Sequence, residues 1–259
     1  MNLNFIVNRK LSETGITVVG SLMSRMVVNL LMVILLLGAQ SRLVSANLGP
    51  VFPQGLNPEQ VAATIKGNAQ ALKAFSYQQR MQLQLKGETK KVTLNQITHD
   101  MSGNEQKTLL SEEPASGGQP SGGRLKQRVV AKKTGEFKDM MHSIAALVKS
   151  YTELPPQQMQ ASLKQASFSQ GEGDMAGSVQ ILMRNVNQQG DSMTIWIDRT
   201  AMLFRKAEIA TTYEGNPVTT TANYAMLPSG QVYMAQAVLN YPKKEVVVEI
   251  DNSNYQRSQ

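Results

Sequence analysis

From Ser178 to the C-terminus the chain is a string of alternating segments, each stopped by turn residues. The segments run Ser178 to Asn187, Met193 to Asp198, Met202 to Tyr213, Val218 to Met226, Val232 to Tyr241 and Glu245 to Asn252. The breaks between them read Gln189-Gly190-Asp191, Asp198-Arg199-Thr200, Glu214-Gly215-Asn216-Pro217, Pro228-Ser229-Gly230 and Tyr241-Pro242-Lys243-Lys244. Short polar breaks leave no room for a crossover helix, so the segments must fold as an antiparallel meander. Because strand side chains alternate with period two, Met193, Ile195 and Ile197 share one face and Trp196 takes the other. Leu203, Ala207 and Ile209 do the same one strand later. In the last strands both faces carry apolar residues: Val246, Val248 and Ile250 alternate with a set that includes Val247, and Tyr233 and Leu239 oppose Val232, Met234 and Val238. Such a sheet is expected to wrap around something.

The upstream half mixes helix and strand. Asn57 is placed to cap a helix with Pro58 at its first position, and Val61, Ile65, Ala69 and Leu72 recur at helical spacing up to about Phe75. Ser76 to Lys86 then alternates cleanly, with Tyr77, Met81, Leu83 and Leu85 on one face and Gln78, Arg80, Gln82, Gln84 and Lys86 on the other. Gly87-Glu88-Thr89 turns the chain into a return strand led by Val92 and Leu94, whose alternation slips at Asn95-Gln96, where a bulge is expected. A further strand spans Lys107 to Leu110. Ser111 to Arg124 is rich in Gly, Ser and Pro and reads as a flexible loop, either a lid or a plain surface insertion. Helix returns over Thr134 to Leu154, with Phe137, Met140, Met141, Ile144, Leu147, Val148 and Tyr151 on a broad apolar face. Pro155-Pro156 ends it, and a shorter helix covers Gln157 to Phe168.

The first 46 residues are set aside as an export segment. Met26 to Ala39 is an uncharged apolar run behind Arg25, followed by Val44-Ser45-Ala46, which predicts signal-peptide cleavage after Ala46. The 16 residues between Arg25 and Arg42 fall short of the roughly 20 of a spanning helix, which disfavours the alternative of a retained anchor. The long stretch before the run would vanish if translation began at Met23. Residues 47–259 are then expected to form one exported, periplasmic or secreted domain. With no cysteine it holds itself together by burial alone. Removing residues 1–46 takes away four cations and one anion, so the formal charge of +7 falls to +4, with 22 basic and 18 acidic residues. That balance excludes an electrostatic case for nucleic acid.

Reactive groups are scarce. The chain has two histidines and no nucleophile elbow. His99 beside Asp100 reads as a turn, and Asp139 with His142 lacks a third metal ligand. The Gly pairs 117–118 and 122–123 have none of the flanking features of a phosphate loop. Arg124, Lys126, Arg128, Lys132 and Lys133 form a basic run, read as a solvated strand face or as an attraction for anionic lipid. No enzyme activity, metal or cofactor is predicted. Methionine is the compositional excess, 11 of 15 remaining after residues 1–46 are removed. Flexible, polarizable thioethers suit an adaptable apolar site as well as an ordinary core.

Several short runs carry a family likeness. A helix running into Leu72-Lys73-Ala74-Phe75-Ser76-Tyr77, then Ile195-Trp196-Ile197-Asp198, Arg205-Lys206-Ala207-Glu208, the Tyr213 to Gly215 turn and a closing Asn252-Ser253-Asn254-Tyr255 resemble the periplasmic lipoprotein carrier superfamily of LolA, LolB and RseB type. The resemblance implies an α+β fold: a strongly curved antiparallel sheet of about eleven strands, an unclosed half-barrel, with helices covering its concave face. It implies an apolar cavity for a lipid acyl chain or a lipidated protein. The positions expected to line that cavity are Met81, Leu83, Met140, Met141, Ile144, Met183, Met193, Ile195 and Met234. The alternative within the same superfamily is an envelope protein-interaction or sensor module that transports no lipid. A monomer with at most peripheral membrane contact is expected in either case.

Overall fold

The computed structural model describes residues 58–100, 102–114, 124–152 and 154–258. The export segment, the cleavage position and the centre of the Gly/Ser/Pro loop lie outside the described residues. Among those described, no helix is long and apolar enough to cross a membrane.

Helix α1 (Pro58–Leu72) leads into strands β1 (Phe75–Leu85), β2 (Glu88–His99) and β3 (Glu105–Pro114). Helices α2 (Arg124–Thr152) and α3 (Pro156–Lys164) follow, then β4 (Ser167–Gln170), β5 (Ser178–Arg184), β6 (Ser192–Asp198), β7 (Phe204–Tyr213), β8 (Asn216–Met226), β9 (Val232–Tyr241) and β10 (Val246–Arg257). The ten strands form one sheet in the order β3-β2-β1-β10-β9-β8-β7-β6-β5-β4, and every pair is antiparallel. The sheet is open, with β3 and β4 as its edges. The meander read from the turns is therefore present, and its last strand pairs back onto β1, with Met81 opposite Ile250 and Leu83 opposite Val248.

One face of this sheet holds the core. Val179, Ile181 and Met183 of β5, Met193, Ile195 and Ile197 of β6 and Ala207 and Ile209 of β7 are buried together with Val248 and Ile250 of β10. Met141, Ile144, Ala145, Val148 and Tyr151 of α2 belong to the same cluster, as does Val61 with Ile65 of α1. Each such side chain withdrawn from water contributes about 1.5–3 kcal/mol. Helix α2 meets the sheet at β7 and α3 meets it at β5. Helix α1 is tied down by a two-way bond: the Asn68 amide donates to the carbonyl of Val232 and accepts from its N–H, both at 2.7 Å. That side chain copies the pairing of a neighbouring strand, and so satisfies backbone groups at the start of β9.

Several expectations need correction. The basic run from Arg124 to Lys133 is the first part of α2, not a strand face, so the helix begins ten residues earlier than Thr134. Ser111 to Pro114, expected in the loop, extend β3. The second predicted helix stops at Lys164, and Ser167–Gln170 form β4 along the edge of β5. In β2 the buried residues are Lys91, Thr93, Asn95 and Ile97, while Val92 and Leu94 face the other way. The burial of β2 alternates throughout on a largely polar inward side, and its pairing with β3 shifts register between Leu94 and Asn95, beside the expected bulge. In β9, Val232 and Met234 share the buried face with Ala237, Leu239 and Tyr241, because the pairing with β8 shifts register between Asn223 and Tyr224. Leu239 thus joins the residues it was expected to oppose. Trp196 does lie on the opposite face from Ile195 and Ile197, paired with Lys206, whose ammonium sits 5.2 Å from the indole centroid.

Candidate functional site

Of the nine positions expected to line a cavity, eight come together in one buried cluster. Met81, Leu83, Met141, Ile144, Met183, Met193, Ile195 and Met234 are all buried members of one cluster, none more than 8% exposed. They pack as a core. Met140 alone is half-buried at its margin and lines an opening.

That opening is a cleft of about 520 Å³ between α2 and one end of the sheet. Glu136, Phe137 and Met140 line it from the helix, Leu85 and Lys86 from the β1–β2 turn, and Lys243, Lys244 and Glu245 from the β9–β10 turn. Its volume falls within the usual range for small-molecule sites. Leu85, Phe137 and Met140 form the apolar part, and all three pack directly against the core cluster. The cleft is thus continuous with the apolar interior.

Two turns shape the polar part of the rim. Lys86 and Gly87 form the two-residue connection of the β1–β2 hairpin, with φ of 57° and 73°. Positive φ at both positions gives the turn whose twist suits a two-residue hairpin. The β9–β10 connection is a 3-10 turn from Pro242 to Lys244 that ends on Glu245, also left-handed at φ 53°. The N–H of Glu245 donates to the carbonyl of Pro242 at 2.9 Å, and the N–H of Lys86 donates to the carbonyl of Glu245 at 2.8 Å. One hairpin end is therefore bonded to the other, and Lys86, Lys243 and Lys244 are held on neighbouring backbone positions. Tyr241, almost fully buried and in edge contact with Tyr213, anchors the second turn to the core.

At its far end α2 is fastened by hydrogen bonds. The Tyr151 hydroxyl donates to the buried Asp191 carboxylate at 2.6 Å and lies 2.6 Å from the Thr211 hydroxyl. Burial, reinforced by the bond to Asp191, raises the Tyr151 pKa. Asp191 also accepts from the N–H groups of Val186, Asn187 and Gln188, so one carboxylate closes the β5–β6 loop and holds the helix. The Asn187 amide donates to Ser150 at 2.7 Å and the Gln158 amide to Asn187 at 2.9 Å, which brings α3 into the same joint. None of this was legible as more than a turn at Gln189-Gly190-Asp191.

A second polar feature lies on the buried face of β1, β2 and β10. Lys107 donates to the Gln79 carbonyl oxygen at 2.9 Å, Gln79 donates to Asn252 at 3.3 Å, and Asn252 donates to the backbone carbonyl of Met234 at 2.9 Å. Gln79 is fully buried. Desolvation lowers the Lys107 pKa, partly opposed by the charge of Glu105. Beside this chain, Lys91 pairs with Glu112 at 2.9 Å.

The residues weighed for chemistry have structural work. Asp100 accepts from the N–H groups of Asn104 and Ser102 and from the side chains of Asn104 and Gln106. The bond from the Asn104 backbone leads in holding its carboxyl below the usual range. His99 points a ring nitrogen at the Phe75 carbonyl, 3.3 Å away. Among the described residues no group of three or more His, Asp or Glu is placed to hold a metal.

No protein-family model and no curated protein matches the chain. Among solved structures it is similar to a LolA superfamily protein from Nitrosomonas europaea, at 11% identity and a TM-score of 0.36, over 74% of this chain and 94% of that one. It is also similar to an outer membrane lipoprotein-sorting protein domain from Vibrio parahaemolyticus, at 11% identity and a TM-score of 0.35, over 73% and 90%.

Proposed function

We propose that the protein is a non-catalytic carrier, exported to the cell envelope, that holds a long alkyl or acyl chain between α2 and the sheet. The carrying observation is the cleft at Leu85, Phe137 and Met140, whose apolar side is continuous with the core. In this reading the described state is the closed, unloaded form: Met81, Met141 and Ile144 fill the space that a ligand would take. Unbranched methionine side chains repack around flexible hydrocarbon at low cost. The fastening of α2 at Tyr151 and Asp191 leaves its opposite part, at Glu136 to Met140, as the side from which a chain would enter. His99 and Asp100 are engaged in local hydrogen bonds, and the proposal gives no residue a chemical role.

Displacement of a fluorescent long-chain fatty acid from the purified chain, with native mass spectrometry after extraction, tests the reading. Saturable one-to-one binding that Phe137→Asp abolishes while the circular dichroism stays unchanged is the expected result. Absence of any bound or displaceable chain in the parent protein would sink it.

One observation favours a second reading, an envelope interaction module. Leu109 and Leu110 on edge strand β3 are 50% and 49% exposed, beside backbone groups open to a further strand. A partner bound there would be lost on Leu109→Lys/Leu110→Lys without any change in lipid binding.

A further inference from the structure

We propose that the rim of the cleft selects an amphiphile with an anionic headgroup, a carboxylate or a phosphate, over a neutral one with the same chain. The inference rests on the reading that the cleft admits an alkyl chain and adds what the chain must carry at its end. Lys86, Lys243 and Lys244 contribute three ammonium groups to the lining against the carboxylates of Glu136 and Glu245, so the rim is net positive. Among the described residues none of the three lysines forms an ion pair. Their cationic ends are uncommitted, unlike Lys91, which is paired with Glu112, and Lys206, which is paired with Glu208.

Placement strengthens the case. The bond from Lys86 N–H to the Glu245 carbonyl and the Pro242-led turn hold the lysine backbones beside one another before any ligand arrives. Less ordering is then lost on binding. The apolar side formed by Leu85, Phe137 and Met140 lies in the same cleft, so a chain laid there brings its head to the lysines. A concave wall of low polarity also concentrates the field of charges at its edge. A neutral headgroup would strip water from the three ammonium groups and return at most an uncharged hydrogen bond.

The experiment compares three probes of equal chain length on the full protein: a fatty acid, a lysophosphatidic acid and the corresponding fatty alcohol. Each displaces the same fluorescent reporter at low and at physiological ionic strength. The expected result is that both anionic probes bind roughly tenfold more tightly than the alcohol at low salt, the preference shrinking as salt is added. In Lys86→Gln/Lys243→Gln/Lys244→Gln the ratio of acid to alcohol affinity falls to near one. Three alternative outcomes are informative. If the alcohol matches the acids in the parent protein, the headgroup inference is overturned while the alkyl-chain reading stands. If the preference survives the triple substitution, the selecting charge lies elsewhere and the rim assignment is overturned. If no probe binds, both are overturned together. A difference between carboxylate and phosphate affinities identifies which anion the rim suits, within the inference.

Discussion

The two wings of this sheet are buried by the same chain yet differ in chemistry. From β5 to β7 the inward residues are Val179, Ile181, Met183, Met193, Ile195, Ala207 and Ile209. In β1 and β2 they include Gln79, Lys91, Thr93 and Asn95, each no more than 8% exposed. Apolar burial stabilises wherever it occurs, but a buried amide or ammonium only recovers what it lost on leaving water. The first wing is therefore where stability should reside. The second is close to neutral as long as its hydrogen-bond chain from Lys107 through Gln79 and Asn252 to Met234 stays whole.

Substitutions can break that contrast, beginning where the effect is greatest. Asp191→Ala removes the acceptor for Tyr151 and for three backbone N–H groups at the foot of the apolar wing. With those donors left dry, a loss of about 4 kcal/mol in urea unfolding is expected. Ile195→Ala, at a site 2% exposed, should cost about 3 kcal/mol from lost transfer and the cavity left behind. In the polar wing, Gln79→Leu strands both Lys107 and Asn252 and should cost about 2 kcal/mol. Gln79→Leu/Lys107→Met/Asn252→Leu removes the whole chain, and its cost should return to near zero, a non-additivity that unfolding of the single and triple variants measures directly. Were the triple variant to lose the sum of its parts, the polar wing would be contributing stability and the contrast would fail.

The smallest effect concerns pH. Burial holds the folded Lys107 pKa below its ordinary value of 10.5, so in the window between the two the unfolded chain binds more protons. Stability of the parent protein then rises with pH across that window as far as this group is concerned. Lys107→Met should lose ground relative to the parent as pH climbs from neutrality toward the ordinary value, because the parent gains stability there. Urea midpoints of the two proteins at a series of alkaline pH values check the trend. A difference independent of pH would show that Lys107 is solvated.

The same contrast explains what could be read from the chain. Alternation located strands β1, β6 and β9 to within a residue or so, helped by their mostly apolar inward residues. It also placed Trp196 on the correct face, because period two leaves no choice once Ile195 and Ile197 face in. Where the inward side is polar the rule misleads on facing: in β2 it selects Val92 and Leu94 as inward, while the irregularity expected near Asn95 coincides with a shift of the β2–β3 pairing between Leu94 and Asn95. Arg124 to Lys133 was read by its charge, although Leu125 and Val129 already stand at helical i, i+4 spacing within it. Composition alone cannot tell a methionine in a filled core from one that lines a cavity. The cleft was invisible because Lys86, Glu136 and Lys244 are far apart along the chain. Each sits in a turn or on a helix with an ordinary local explanation, and only the pairing of β1 with β10 brings the two turns together.

That pairing also governs how the molecule can form. Gln79 and Asn252 meet across 173 positions, so the pairing that joins the two wings closes a very long loop. Every other neighbour in the β5–β10 meander is reached through a short turn. Closing so large a loop must precede the contacts that reward it, which makes this the slow step of folding. Until β10 pairs with β1 the two wings are not joined, so this one strand couples the polar and the apolar halves of the sheet.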